Sequence, residues 1–531
     1  MSGKEADIRE AWQQALAAGV AGYRPAAVFA AGASLPAALT GAAADGAARA
    51  TGRPAVLLAG SGAELNLMLP ALVVADADSV PMIVLVRGGT AAELEAGRDR
   101  PGGLADALRL TEPFTGWNTR VDRAEDLPLV LEAAFGDLGR RRPRPLLIEL
   151  ADEALPGAGW QAGAAGSPGS GGTPAPEEEP VRGKGTVIPF PGGAARNGRH
   201  RDGGHGWEEA PEPPIDKRWL EQVAAALVRA RRPAIVAGGG AAAAGEPLLR
   251  LAERLGAPVF LTLSGRGVLP GDHPLAFDGL VAAPARRWLR DADLVLVVGT
   301  TLSPVEHGDL ELAGRVVHID RDVERLGRNF PVWLGLAADA GQALASLDRR
   351  VAVEMEQPRG PEVYLGATGP QERRRAVARL REELEGPGPW TADLEARLTA
   401  ADADALTVAE AAALPVRSPR SLLMPLRLGT PGYALAAAWG AARATGRPVR
   451  AIVSPEGLWN GWPVLRAAAR EGMALEALIR LDRGPEPPAP ADLTRWRQIS
   501  EALDLVWEEP GGEAARDGVP FVRVRTRADA G

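Results

Sequence analysis

The chain has 531 residues, 46% of them hydrophobic and 24% charged, proportions that fit a globular protein long enough for about three domains. With 60 basic against 68 acidic residues the net charge is −8, which excludes the basic footprint of a nucleic-acid binder. The absence of cysteine excludes disulfides, thiolate metal sites and a cysteine nucleophile, and fits a reducing cytoplasm.

The start, MSGKEADIRE, lacks the apolar core of a signal peptide, and the uncharged stretch 25–44 is broken by Gly32, Pro36 and Gly41. Neither export nor membrane insertion is expected, and the reading is a cytoplasmic protein. The histidines are His200, His205, His273, His307 and His318, so imidazole chemistry is excluded from both ends of the chain.

The first block, 1–155, holds three strand-like runs: AVLLAG from Ala55, MIVLVRG from Met82 and LLIEL from Leu146. Gly, Ser, Pro, Glu and Arg dominate 156–214, a composition that cannot bury enough apolar surface to offset ordering entropy, and this segment reads as a disordered linker. The central block, 215–350, has AIVAGG from Ala234, LVLVVG from Leu294 and RVVHID from Arg315. Residues 351–386 read as a second linker carrying a charged surface helix, QERRRAVARLREELEG, and 387–531 form the last block. These runs are apolar without alternation and are separated by helix-length segments, the pattern of parallel strands covered on both faces. The expected fold is three open parallel-sheet α/β domains.

GAARATGRP occurs at Gly46–Pro54 and again, identically, at Gly440–Pro448, each time ahead of an apolar run. The repeat implies that the first and third blocks are alike. Asp45, just before the first copy, is expected at a helix cap or on a helix surface. In the central block Gly238, Gly239, Gly240 and Ala243 fit GxGxxA, a weak signal because no acidic residue follows about 20 positions later to grip a ribose. His318 and Asp320 read as a strand end rather than a metal pair, and His307 has similar status.

DGAARATGRPAVLLAGSGAELNL (45–67) with VVADADSVPMIVLVRG (73–88) resembles the pyrimidine-binding domain of thiamine diphosphate enzymes of the acetolactate synthase group. RPAIVAGGG, LAERLGAPVFLTLSGRGVLPGDHPL, DADLVLVVGTTLS and VVHIDRD resemble that family's central domain. LGTPGYALAAAWGAARATGRPVRAIVSPEG (428–457) resembles its diphosphate-binding domain.

The resemblance implies thiamine diphosphate held through Mg²⁺, with a glutamate in the first domain driving the aminopyrimidine into the form that takes the thiazolium proton. It places Pro36 and Ala37 where the family has His and Glu, and no glutamate lies between Glu10 and Glu64. It places Ser61 and Asn66 at the loop after the second strand, Asn66 as either ligand or helix cap. Gly429, Thr430, Pro431 and Gly432 fall at the cofactor-supporting turn, with proline where the family has a large apolar residue. Gly457 and, for the metal, Glu456 and Asp482 replace the family's Gly-Asp-Gly turn and Asn pair. FAD in the central domain is not expected. The implied function is an acetolactate synthase-like protein, non-catalytic or weakly active, which keeps the fold and assembly surfaces; the alternative is an active carboligase or decarboxylase acting on pyruvate or another 2-oxo acid. The implied assembly is a homodimer, a homotetramer or a heteromer with a catalytic relative.

Overall fold

The computed structural model describes residues 3–31, 34–90, 92–93, 103–104, 106–155, 214–304, 308, 310–357, 369–384, 405–409, 422–425, 432–480, 490–508 and 521–526. His200, His205, His307 and most of 156–214 lie outside these residues, as do Gly429, Thr430, Pro431 and Asp482.

The first domain runs α1 (Gly3–Val20), β1 (Val28–Ala30), α2 (Ala37–Thr51), β2 (Ala55–Ala59), α3 (Gly62–Asp78), β3 (Met82–Gly89), α4 (Ala107–Thr111), β4 (Trp117–Val121), α5 (Leu127–Arg140) and β5 (Leu146–Ala151). Its strands lie in the order β1-β2-β3-β5-β4, every pair parallel. Each residue of β2 and β5 is buried, which is why these runs are apolar throughout: helices cover both faces. Trp12, Leu16, Leu127, Leu131 and Phe135 cover one face, and α2 and α3 the other.

The central domain comprises α6 (Lys217–Arg229), β6 (Pro233–Ala237), α7 (Gly245–Leu255), β7 (Val259–Leu261), β8 (Ala276–Asp278), α8 (Ala283–Asp291), β9 (Leu294–Val298), β10 (Arg315–Asp320), β11 (Leu334–Ala337), α9 (Ala340–Glu356) and α10 (Pro370–Leu384). The parallel order β11-β10-β9-β6-β7-β8 is doubly wound, with the direction of winding reversing between β6 and β9. Helix starts are fixed by sequence: Asp216 accepts the Trp219 amide at 2.8 Å and Asp339 the Gln342 amide at 3.0 Å. The charged helix α10 lies against this domain. Val377 and Leu380 enter its core, and Arg373 donates to the carbonyls of Leu255 (3.0 Å), Val228 (3.2 Å) and Ala230, the C-terminal ends of α6 and α7.

The third domain contains β12 (Leu406–Ala409), β13 (Leu422–Leu423), α11 (Tyr433–Thr445), β14 (Val449–Val453), α12 (Pro455–Arg470), β15 (Leu475–Arg480), α13 (Pro490–Ala502), β16 (Val506–Glu508) and β17 (Phe521–Arg525), in the order β13-β12-β14-β15-β17-β16. Its sheet departs from the all-parallel expectation: β17 runs antiparallel to both β15 and β16. The chain reaches β17 from β16 without a helical crossover among the described residues, so it returns in the opposite direction.

The two copies of GAARATG form the C-terminal halves of α2 and α11, and these helices cross directly against each other. A β-carbon built on Gly46 would lie 2.0 Å from the Ala437 carbonyl oxygen, and one on Gly440 1.8 Å from that of Ala43. The contacts are reciprocal, each repeat glycine meeting the residue three before the other. One hydrophobic core therefore runs through both domains, containing Leu57, Met68 and Val84 from the first and Leu435, Ala451 and Ile479 from the third. Among the described residues no helix is long and apolar enough to cross a membrane.

Candidate functional site

At the start of α2, Pro36 occupies the position before the helix and Ala37 its first residue, 9% exposed. Thr40 Oγ1 donates to the Pro36 carbonyl at 3.0 Å and closes this turn on itself. No carboxylate stands where the resemblance calls for one.

Asp45, expected at a cap or on a helix surface, is in mid-helix and fully buried. The crossing of α11 over α2 covers it, a tertiary contact invisible to local capping preferences. Arg49, one turn on, holds Asp45 through Nε at 2.5 Å and Nη2 at 3.2 Å, reaches Asp78 at 2.9 Å and donates to the Met424 carbonyl at 3.0 Å. The Tyr433 hydroxyl donates to Asp45 from the third domain. Burial raises the Tyr433 hydroxyl far above its ordinary value, and the two carboxylates raise the Arg49 guanidinium against the opposing effect of its own burial, so the tyrosine stays neutral and the arginine charged. The spacing of Asp45 and Arg49 (i, i+4) was the available sequence signal; the partners Asp78 and Tyr433 had none.

Ser61 caps α3, accepting the Glu64 amide at 3.3 Å, while the Glu64 carboxylate accepts the Gly60 amide at 2.7 Å in a variant of the capping box. Asn66 lies inside α3 and is exposed, so it is not a helix cap; the cap falls on Ser61 because that is where the strand gives way to helical dihedrals. Beyond β14, Ser454 Oγ accepts the Gly457 amide at 3.0 Å and α12 begins at once with Pro455. Glu456 is exposed on the first turn, and no hydrogen bond or ion pair joins it to another described residue. Gly432, at φ +86°, packs its backbone against Asn460, whose β-carbon would stand 3.0 Å from one built on the glycine.

Octahedral Mg²⁺ needs several oxygen ligands at a fixed spacing, and among the described residues no group of three His, Cys, Asp or Glu side chains is placed to hold a metal. The N-terminus of α12 offers little to a diphosphate, since Pro455 has no N–H and that of Gly457 is already bonded. Of the residues implied for the diphosphate and its metal, Glu456 is exposed on this first turn, and Gly429, Thr430, Pro431 and Asp482 lie outside the described residues.

A cleft of about 840 Å³ opens where the central sheet reverses its winding. Gly239, Gly240 and Gly299 line it from the central domain, Arg49 and Asp78 from the first and Met424 from the third. The glycines serve packing: a β-carbon on Gly238 would meet Thr300 Cβ at 2.4 Å, and one on Gly240 the Gly299 Cα at 2.8 Å. Beneath the cleft His318 is fully buried, its Nε2 donating to the Thr300 carbonyl at 3.0 Å and its Nδ1 accepting the Gly327 amide at 3.4 Å. Burial keeps the ring neutral despite Asp320, whose carboxyl is itself raised by burial. The ring is a structural tie between two loops. The ADADS motif ties the end of α3 to the loop before β5 within the first domain, with Asp76 on Arg144 at 2.5 Å and Ser79 accepting from Arg142 at 2.5 Å, while Arg321 at the cleft joins the central domain to the first by donating to the Gly139 carbonyl at 2.8 Å.

Comparison with known proteins agrees with this architecture. Residues 220–347 match the model of the thiamine pyrophosphate enzyme central domain and 38–107 that of the N-terminal TPP binding domain. Escherichia coli acetolactate synthase isozyme 1 large subunit is 27% identical over 76% of this chain and 65% of its own length. The structure of a thiamine diphosphate-dependent 4-hydroxybenzoylformate decarboxylase from Rhodococcus jostii RHA1 superposes with a TM-score of 0.65 at 18% identity, covering 93% of this chain and 92% of that one, a likeness of fold. A Pseudomonas aeruginosa protein named a probable 2-ketoarginine decarboxylase is 31% identical over 81% of this chain and 70% of its own length, and the chain belongs to the thiamine pyrophosphate enzyme family.

Proposed function

We propose that this chain is a divergent member of the acetolactate synthase-like group, non-catalytic or weakly active, which retains the fold and the surfaces of assembly. The observation that carries the reading is the alanine at the start of α2: a buried methyl group stands where the family's proton relay needs a carboxylate. The closed first turn of α12 supports it. The central domain, with its glycines engaged in packing, serves as structure and takes no FAD.

Titrating the purified protein with thiamine diphosphate and Mg²⁺ in a calorimeter is expected to give no saturable heat at millimolar cofactor. Saturable binding abolished by Glu456→Ala and by Asp482→Ala would overturn the reading.

One observation favours a second reading. The 31% identical relative is named for a 2-oxo acid decarboxylase, and an active carboligase or decarboxylase on pyruvate or another 2-oxo acid would follow from it. Pyruvate loss above a no-enzyme control, sensitive to Glu456→Ala, would establish that activity.

The proposed assembly is a homodimer or homotetramer, or a heteromer in which a catalytic relative supplies the missing groups. The heteromer predicts co-purification with such a relative from the native host, and recovery of this chain alone excludes it.

A further inference from the structure

At the end of the central sheet opposite the three-domain cleft, a groove of about 390 Å³ lies between α8 and α10, with Pro233 and Gly256 at its base. Five arginines line it, residues 231, 232, 287, 373 and 379, against two glutamates, Glu372 and Glu383, with Asp291 at 3.8 Å from the Arg232 guanidinium and Asp293 accepting the Arg231 and Arg232 amides beside it. Arg287 neutralises Glu383 across the groove at 2.5 Å. Two arginines are already immobilised. The Arg232 guanidinium is stacked 4.1 Å over the Trp288 ring, and Arg373 is buried with its donors on three helix-end carbonyls. Arg231 and Arg379 stand exposed in the wall.

Arginine forks match the paired oxygens of oxyanions, and side chains fixed before binding lose little entropy when an anion arrives. A concavity within the usual size range of small-molecule pockets, walled by more arginines than acids and with the Arg232 guanidinium held in place by stacking, suits a compact ligand bearing two or more negative charges. We propose that this groove binds such an oxyanion, with phosphate or carboxylate groups, at a site separate from both the central cleft and the α12 terminus. The proposal goes beyond the functional reading above and does not depend on whether the chain binds thiamine diphosphate.

The test is calorimetric titration of the full chain, at low ionic strength, with inorganic pyrophosphate in one arm and citrate in the other. Saturable binding of either is expected, weakening as salt screens the groove. The arm with the tighter binding identifies the phosphate or carboxylate class. The double variant Arg231→Glu, Arg379→Glu is expected to bind at least about tenfold more weakly, the loss of one or more charge-assisted hydrogen bonds. Both positions are exposed, so unchanged circular dichroism is expected. Ser454→Ala at the α12 terminus and Arg321→Ala at the cleft are expected to leave the affinity unchanged. No saturable heat from either anion at millimolar concentration, or binding indifferent to the groove variant, would overturn the proposal. Binding lost in Ser454→Ala or Arg321→Ala alone would overturn it as well, by moving the site elsewhere.

Discussion

Asp45→Ala is expected to destabilise the joined first and third domains by about 3–5 kcal/mol, the range for breaking a buried ion pair from one side. The loss arises chiefly from what remains. Arg49 keeps Asp78 and the Met424 carbonyl but loses its two bonds to Asp45, and its charge stays in a region the solvent barely reaches. The Tyr433 hydroxyl, fully covered, loses its acceptor at the same time. Tyr433→Phe removes only the donor and is expected to cost about 0.5–1.5 kcal/mol, because Asp45 retains Arg49. Urea unfolding followed by tryptophan fluorescence suits the measurement, since Trp439 stands on the same helix as Tyr433. An Asp45→Ala loss below about 1 kcal/mol would show that the network contributes little.

Gly440→Val is expected to be at least as severe and to act by a different route. Even the β-carbon of alanine would sit 1.8 Å from the Ala43 carbonyl oxygen, inside any tolerable contact, and neither atom is on a flexible side chain. The helices must separate, which opens the shared core along their length, and the cost is expected to exceed the about 1–3 kcal/mol typical of overpacking. Gly46→Val, against Ala437 at 2.0 Å, is expected to behave alike. The internal control is Gly136→Ala in α5. Nothing lies within 4 Å of the added carbon there, and the change is expected to stabilise by about 0.5–1 kcal/mol because glycine is a poor helix former. Two separate unfolding transitions for the first and third domains in the wild type would contradict the shared core on which both predictions rest.

Much of the fold was legible because its strands are buried on both faces. Such strands need no alternation, so each announces itself as an apolar run, and Ala55, Met82, Leu146, Leu294 and Arg315 all begin or open strands as the sequence implies. The repeat marked the kinship of the first and third domains, but not that its two copies lie against each other: a local sequence identity carries no information about tertiary pairing. For the same reason Asp45 read as a surface or cap residue, since only the arrival of α11 encloses it. The antiparallel β17 was hidden too, because strand direction depends on the connection and not on strand composition. At the candidate site, the missing carboxylate at Ala37 was visible as the absence of any glutamate between Glu10 and Glu64. The capping role of Ser454 needed the strand end to be located first, and Asn66 was misplaced as a possible cap because α3 begins five residues earlier than that role requires.

The reciprocal meeting of Gly46 with Ala437 and Gly440 with Ala43 makes the chain a pseudo-twofold dimer of its own halves. In a true homodimer every substitution at such an interface occurs twice, and a charge introduced on one side faces its own copy. Here each occurs once, and the two sides have diverged: Arg49 bridges Asp45 and Asp78 on one, while on the other Trp439 lies beside Phe29 and under Arg443, which pairs with Glu471 at 3.1 Å. Because a single polypeptide supplies both partners, their effective concentration is set by the tether and not by how much protein is present. This junction therefore survives dilution that would dissolve an interface between separate subunits.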